Sequence, residues 1–210
     1  MKRENLQVYF IMGTQNITNR EPLKVLEEAL QAGVTIFQLR EKGDGALHGA
    51  AYEGFAIECQ KLCQKYDVPF IVNDDIELAI KLGADGVHIG QEDMSVGEVR
   101  EKIGDRILGI SVHNMEELQV ALTHKADYVG IGPIFATKSK ADAKTPAGTS
   151  FLQQVSHQYP ELPIVAIGGI TKQNGTEPIQ AGADGVAVIS AICESENINE
   201  TVAVFKDLTN

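Results

Sequence analysis

Cysteine, positive charge and long apolar runs are all scarce in this 210-residue chain. The three cysteines, Cys59, Cys63 and Cys193, form an odd and sparse set. Cys59 and Cys63 fall one turn apart on a predicted helix. No Cys or His set with zinc spacing completes a site around them, so all three read as buried apolar residues. Lys and Arg number 18 against 29 Asp and Glu, a net charge of −11 and a pI near 4.9. Such a balance excludes a broad surface for nucleic acid or for an anionic membrane. Any anionic substrate must be held by a local basic cluster. No apolar run approaches the roughly 20 residues of a membrane-spanning helix. The apolar part of the opening MKRENLQVYFIMG is too short for a signal peptide and reads as a first strand. Together these exclusions predict a cytoplasmic protein. No domain boundary and no low-complexity segment interrupts the chain, which predicts a single domain over 1–210.

What is present is alternation. Short β-rich runs at 7–12, 35–39, 69–72, 85–89, 106–110, 127–131, 163–167 and 185–189 are separated by helical spacing. The predicted helices cover 22–31, 46–66, 76–81, 95–103, 115–123, 150–158, 172–180 and 199–208, with Asn114 as a cap for the fifth. Eight strands alternating with eight helices imply parallel strands joined by right-handed crossovers. In about 210 residues that fits a small α/β protein, a (β/α)8 TIM barrel. A doubly wound open sheet is the alternative, weakened because no GxGxxG turn follows an early strand. A weak repeat supports the barrel: GADGV (83–87), KADYV (125–129) and GADGV (182–186) each lie between a helix and a strand. That puts Asp85, Asp127 and Asp184 at the N-terminal face, where residues serve stability. Asp74 and Asp93 follow strands and belong to the catalytic face.

Residues just after strands carry the candidate chemistry. Asp74 and Asp93 emerge at one edge and could share a hard divalent cation. Within Gln38-Leu39-Arg40-Glu41-Lys42, period two sends Gln38, Arg40 and Lys42 to one side and Leu39 to the other. A guanidinium and an ammonium on one face suit a phosphate or diphosphate, although most such triplets form surface salt bridges. Ser111 and His113 end the fifth strand. Adjacent positions on one strand do not make a triad, so Ser111 reads as a hydrogen-bonding contact rather than a nucleophile. His113, and His88 on the fourth strand, read as satisfied barrel histidines. The long segment 132–148 carries Thr137, Lys138, Ser139 and Lys140, which suit a lid over a phosphorylated substrate. Gly168-Gly169 after the seventh strand and Ile189-Ser190 after the eighth fit the backbone phosphate site common at that place in barrels. A cation site and two phosphate sites suggest group transfer with departure of diphosphate, and magnesium suits the hard oxygen ligands.

The motifs QLREK, FIVNDD, ADGVHIGQED, LGIS, GIGPIF-T-S-K, PIVAIGGI and GVAVISAI run in this order from residue 8 to residue 192. In that series the chain resembles the thiamine-phosphate synthase family. The resemblance implies a TIM-barrel transferase that joins a hydroxymethylpyrimidine diphosphate to a thiazole phosphate. Diphosphate leaves first, and the thiazole nitrogen captures the resulting pyrimidine cation. Carried over by position, Gln38, Leu39, Arg40, Glu41, Lys42, Asn73, Ser111 and Lys140 would contact the pyrimidine diphosphate. Arg40, Lys42, Ser111 and Lys140 would be its catalytic members. Thr137, Lys138, Ser139, Gly169, Ile189 and Ser190 would hold the thiazole phosphate, and Asp74 and Asp93 one Mg2+. The implied partners are two small phosphorylated substrates, with no nucleic acid and no membrane, in a chain free to form a homo-oligomer. Ser139 stands where the family often has Thr, and 141–145 departs from forms with a second Lys after Lys140. A thiazole tautomerase on the same fold is the nearest rival; it would need neither carboxylate of the metal pair. A non-catalytic barrel that binds phosphorylated ligands is the second.

Overall fold

Eight apolar runs, too short for helices and rich in β-branched residues, become strands, and the helical segments between them carry the chain back each time to the same end. In the computed structural model the strands are β1 (Val8–Met12), β2 (Ile36–Leu39), β3 (Phe70–Asn73), β4 (Gly86–Ile89), β5 (Ile107–Val112), β6 (Tyr128–Ile131), β7 (Ile164–Ile167) and β8 (Gly185–Val188). They pair in parallel in sequence order, and β8 returns to β1, closing a TIM barrel. The structure describes residues 1–91, 94–137, 139 and 145–209. No helix among them is long and apolar enough to cross a membrane.

The helices are α1 (Pro22–Ala32), α2 (Gly49–Lys65), α3 (Ile76–Leu82), α4 (Val96–Ile103), α5 (Met115–Thr123), α6 (Ser150–Gln158), α7 (Thr176–Gln180), α8 (Ser190–Cys193) and α9 (Ile198–Asp207). Side-chain caps start several of them. Asp75 accepts the Leu78 N–H on α3, Ser95 that of Glu98 on α4, and Asn114 that of Glu117 on α5. Three expectations need correction. The helix predicted over 172–180 starts only at Thr176, because Asn174 turns back to accept the Thr171 N–H and to donate to the Gly169 carbonyl. The helix predicted from 46 starts at Gly49, after a turn in which Gly43 and Gly45 take positive φ. α8 adds a ninth α-helical segment among the described residues, directly after β8.

The sequence repeat has a physical counterpart at the foot of the barrel. Asp85 donates its N–H to the Phe70 carbonyl (3.1 Å), and its carboxylate accepts the Phe70 N–H (2.8 Å). Asp127 does the same with Leu108 (2.8 and 2.9 Å), and Asp184 with Ile164 (2.8 and 2.7 Å). Thr35 completes the set on Val8 through its hydroxyl (3.0 and 2.9 Å). Each pair joins the start of an odd-numbered strand to the residue before the next even one. Thr35 escaped the repeat because what it shares with the aspartates is junction geometry: a positive-φ residue two places earlier (Gly33, Gly83, Lys125 or Gly182) and a polar residue just before the strand.

The Cys reading holds for burial: Cys59, Cys63 and Cys193 are free thiols inside the core. Burial pushes the Cys63 and Cys193 thiols up to about 12, so neither is a thiolate near neutral pH.

Removing one foot should cost stability and spare chemistry. Asp184→Ala, which also loses the Arg3 ion pair (2.9 Å), is expected to lower the unfolding free energy by about 1–3 kcal/mol in urea titrations. Turnover of the folded variant should stay within about twofold of wild type. An unchanged unfolding midpoint would reject the role of this contact.

Candidate active site

A cavity of about 210 Å³ opens at the C-terminal ends of the strands. Its wall takes Arg40 and Lys42 from beyond β2, Asn73 and Asp74 from the end of β3, and Ser111 from β5. Thr137 and Ser139 beyond β6, Gly169 beyond β7, and Ile189 and Ser190 beyond β8 close the other side. Thus residues predicted for two phosphorylated groups and part of the predicted cation site share one space. Asp93, Lys138 and Lys140 lie outside the described residues.

Three further predicted residues do not line the cavity. Leu39 is fully buried, on the side of β2 that period two turns toward the helices. Glu41 accepts hydrogen bonds from the Thr14 N–H, from the Thr14 hydroxyl (3.1 Å) and from the Leu47 N–H (2.8 Å). It ties the loop after β1 to the loop after β2. Gln38 is 1% exposed and sits deeper in the barrel. Alternation therefore sorts 38–42: Arg40 and Lys42 go to the cavity, while Glu41 goes to a neighbouring loop.

The turn after β3 aims Asp74. Its backbone lies in the left-handed region (φ 59°), which Asp tolerates better than most residues but which still costs about 1 kcal/mol or more. The Asp74 N–H donates to the His88 carbonyl (3.0 Å), and the next residue, Asp75, is already the cap of α3. Held this way, the Asp74 carboxylate meets the Lys42 ammonium at 2.8 Å.

On the opposite wall two loops interlock. Gly168 and Gly169 take φ of 100° and 63°, and a Cβ on either would run into Pro133 or the Ala136 carbonyl. The Ile134 N–H donates to the Ile167 carbonyl (2.9 Å) and the Phe135 N–H to that of Gly168 (3.0 Å). The paired glycines are needed first for this loop-to-loop approach.

The floor of the cavity joins a chain of buried polar side chains that spans five strands. The Gln38 amide nitrogen donates to the Tyr9 hydroxyl (2.8 Å), which lies 2.6 Å from the Tyr128 hydroxyl. Tyr128 is 3.0 Å from His88 Nδ1, and His88 Nε2 is 2.9 Å from the Ser111 hydroxyl. Burial pushes both phenols well above the ordinary tyrosine value, so each keeps its proton. Gln91, also on the wall, donates to the Ser111 carbonyl (2.7 Å). His113 lines the cavity with Nδ1 2.8 Å from the Glu117 carboxylate.

Residues 8–192 match the family model described as thiamine monophosphate synthase. The chain belongs to that family. It is 66% identical over 208 residues to the thiamine-phosphate synthase of Lysinibacillus sphaericus, covering 99% of this chain and 98% of that protein. Against the thiamine-phosphate synthase of Geobacillus kaustophilus the identity is 53%, over 98% and 92% of the two chains. Among solved structures, thiamine phosphate pyrophosphorylase from Pyrococcus furiosus superimposes with a TM-score of 0.86 at 30% identity, over 99% and 96% of the two chains.

Tyr9 and Tyr128 beneath the cavity and Gln91 on its wall escaped the sequence reading of this family member, and His88 and His113, read as satisfied barrel histidines, also line the cavity. A signal for Tyr9 and Tyr128 was present, since each is a polar ring in an otherwise apolar strand. The space they need was hidden in glycines. A Cβ on Gly109 would fall inside the Tyr128 ring. Gly109→Ala is therefore expected to displace a buried aromatic and to lower stability by about 1–3 kcal/mol, read as a fall in the midpoint of thermal unfolding. A variant as stable as wild type would contradict this packing.

Proposed function

We propose that the chain is a transferase of thiamine biosynthesis, a thiamine-phosphate synthase that condenses a hydroxymethylpyrimidine diphosphate with a thiazole phosphate. The observation that carries the reading is one cavity flanked by Arg40 and Lys42 on one side and by Gly169, Ile189 and Ser190 on the other. Two anionic groups held at opposite walls leave the reacting ends of two substrates between them.

In this reading the guanidinium of Arg40 and the ammonium of Lys42 bind the diphosphate, and Asn73 and Ser111 orient the pyrimidine. Thr137 and Ser139, with backbone N–H groups at Gly169, Ile189 and Ser190, hold the thiazole phosphate. Ser190 begins α8, and the first N–H groups of a helix lack intrahelical acceptors. The C–O bond to the diphosphate breaks, the pyrimidine methylene becomes cationic, and the thiazole nitrogen lone pair forms the new C–N bond. No protein nucleophile takes part. Lys138 and Lys140 join the thiazole phosphate and the diphosphate respectively.

Magnesium fits the donor set. Asp74 offers a hard carboxylate on the cavity wall that already engages a cation, the Lys42 ammonium at 2.8 Å. With Asp93 it would hold one ion. When bound, the ion neutralises charge on the departing diphosphate. The substrates are small and phosphorylated, the reading suits a cytoplasmic protein of one domain, and assembly into a homo-oligomer is compatible with it.

Purified protein with both substrates and magnesium should release thiamine phosphate and diphosphate in equal amounts, and a chelator should stop the reaction. Tight binding without turnover would favour the binding barrel, and thiazole isomerisation alone the tautomerase. Asp74→Ala should lower turnover by on the order of 100-fold or more without lowering the unfolding midpoint; wild-type turnover would remove the metal assignment. Arg40→Lys keeps the charge but loses the planar fork, and kcat/KM should fall roughly 10–100-fold.

A further inference from the structure

Five side chains from five strands make a continuous hydrogen-bonded series inside the barrel, and counting hydrogens gives the series a direction. The Gln38 amide nitrogen has hydrogens and no lone pair, so its 2.8 Å bond to Tyr9 can only be a donation. The Tyr9 hydroxyl must then place its own hydrogen elsewhere, and its other partner is the Tyr128 oxygen at 2.6 Å. Tyr128, having accepted from Tyr9, donates to His88 Nδ1 at 3.0 Å. That nitrogen must be bare. The proton of the imidazole therefore sits on Nε2 and is given to the Ser111 oxygen at 2.9 Å. The Ser111 hydrogen, excluded from that bond, is left to the cavity that Ser111 lines. Turning the Gln38 amide over would reverse every bond, and would exchange one orphan carbonyl oxygen and one unbonded N–H for two unbonded N–H groups in a side chain 1% exposed; the His88 tautomer tells the two orientations apart.

We propose that Tyr9, Tyr128 and His88 form a one-way hydrogen-bond relay that fixes the His88 tautomer and turns the Ser111 hydroxyl hydrogen into the cavity. Tyr9 and Tyr128 are then positioning residues for the reaction. Ser111 meets its substrate as a donor, to a ring nitrogen or a diphosphate oxygen. This consequence rests on the reading of Ser111 as a substrate contact; the relay itself does not. The barrel is built around it. Gly109 leaves room for the Tyr128 ring, which a Cβ there would overlap.

The test is nuclear magnetic resonance of the ligand-free full chain carrying 15N-histidine, in which a protonated ring nitrogen is distinguished from a bare one. His88 is assigned by the signals lost in His88→Gln. The expected spectrum has a bare Nδ1 and a protonated Nε2. Tyr128→Phe keeps the ring and removes the hydroxyl, so a mixture of tautomers should replace the single one. Gln38→Glu puts an acceptor at the far end, and should move the proton to Nδ1. With both substrates, Tyr128→Phe should lower kcat on the order of tenfold while leaving KM within about twofold. A wild-type proton on Nδ1 overturns the relay. So does an unchanged tautomer in both Tyr128→Phe and Gln38→Glu. The spectra contain no substrate, so an inactive wild-type protein would sink the synthase reading and leave this result standing.

Discussion

A residue whose backbone N–H gives to the strand beside it, and whose carboxylate or hydroxyl takes from that strand, sets the register of this barrel. Asp85, Asp127, Asp184 and Thr35 each grip the first or second residue of the preceding odd-numbered strand. A slip of one residue between parallel strands would exchange the inward and outward side chains of the whole strand. Gln38, His88 and Tyr128 would then face the helices, and Phe37, Val87 and Val129 the interior. The register fixed at the foot is also read out at the mouth. Because Asn73 pairs with His88, the Asp74 N–H reaches the His88 carbonyl and the chain turns sharply into α3. The strained φ of Asp74 is thus sustained by contacts on both sides of it.

The protein has to hold anions while carrying a net charge of −11. Its overall field repels phosphates, so attraction must act at short range in a partly desolvated space. Alternation along one strand end achieves this. Arg40, 6% exposed, and Lys42 share the cavity wall, whereas the intervening Glu41 spends its oxygens on Thr14 and Leu47. The same loop supplies Gln15, whose amide donates to the Arg40 carbonyl (2.9 Å). A cluster that reads in sequence as self-neutralising is, in space, two cations facing inward and one carboxylate facing away.

How far the sequence carried the reading follows from which interactions leave a periodic trace. Strand–helix alternation predicted all eight strands to within two residues at either end, because burial on both faces leaves continuous apolar runs. The GAD repeat separated Asp85, Asp127 and Asp184 from Asp74, since position relative to a strand end is itself a linear feature. Helix 172–180 failed where one side chain, Asn174, found a better partner in the Gly169 carbonyl than a helix offers. Leu39 and Glu41 were grouped with Arg40 only through the family resemblance, and alternation had already set Leu39 apart. The inner chain of Tyr9, Tyr128 and His88 joins residues up to 119 apart in sequence, and no local pattern announces such a contact.

His88 read from sequence as a satisfied barrel histidine, and satisfaction turns out to be compatible with a place at the site. Both ring nitrogens have partners, one deep in the barrel and one at the cavity. Buried polar chains of this kind are stable only when nearly every member is bonded, and they then hold each member in one orientation. Among the described residues the two buried side-chain atoms without a partner are the amide oxygens of Gln15 and Gln38. The amide nitrogen of the first steadies the backbone of Arg40, and that of the second starts the chain that ends at Ser111. Gln15 thus supports a residue of the cavity wall directly, whereas Gln38 acts on Ser111 only through every member of the chain between them.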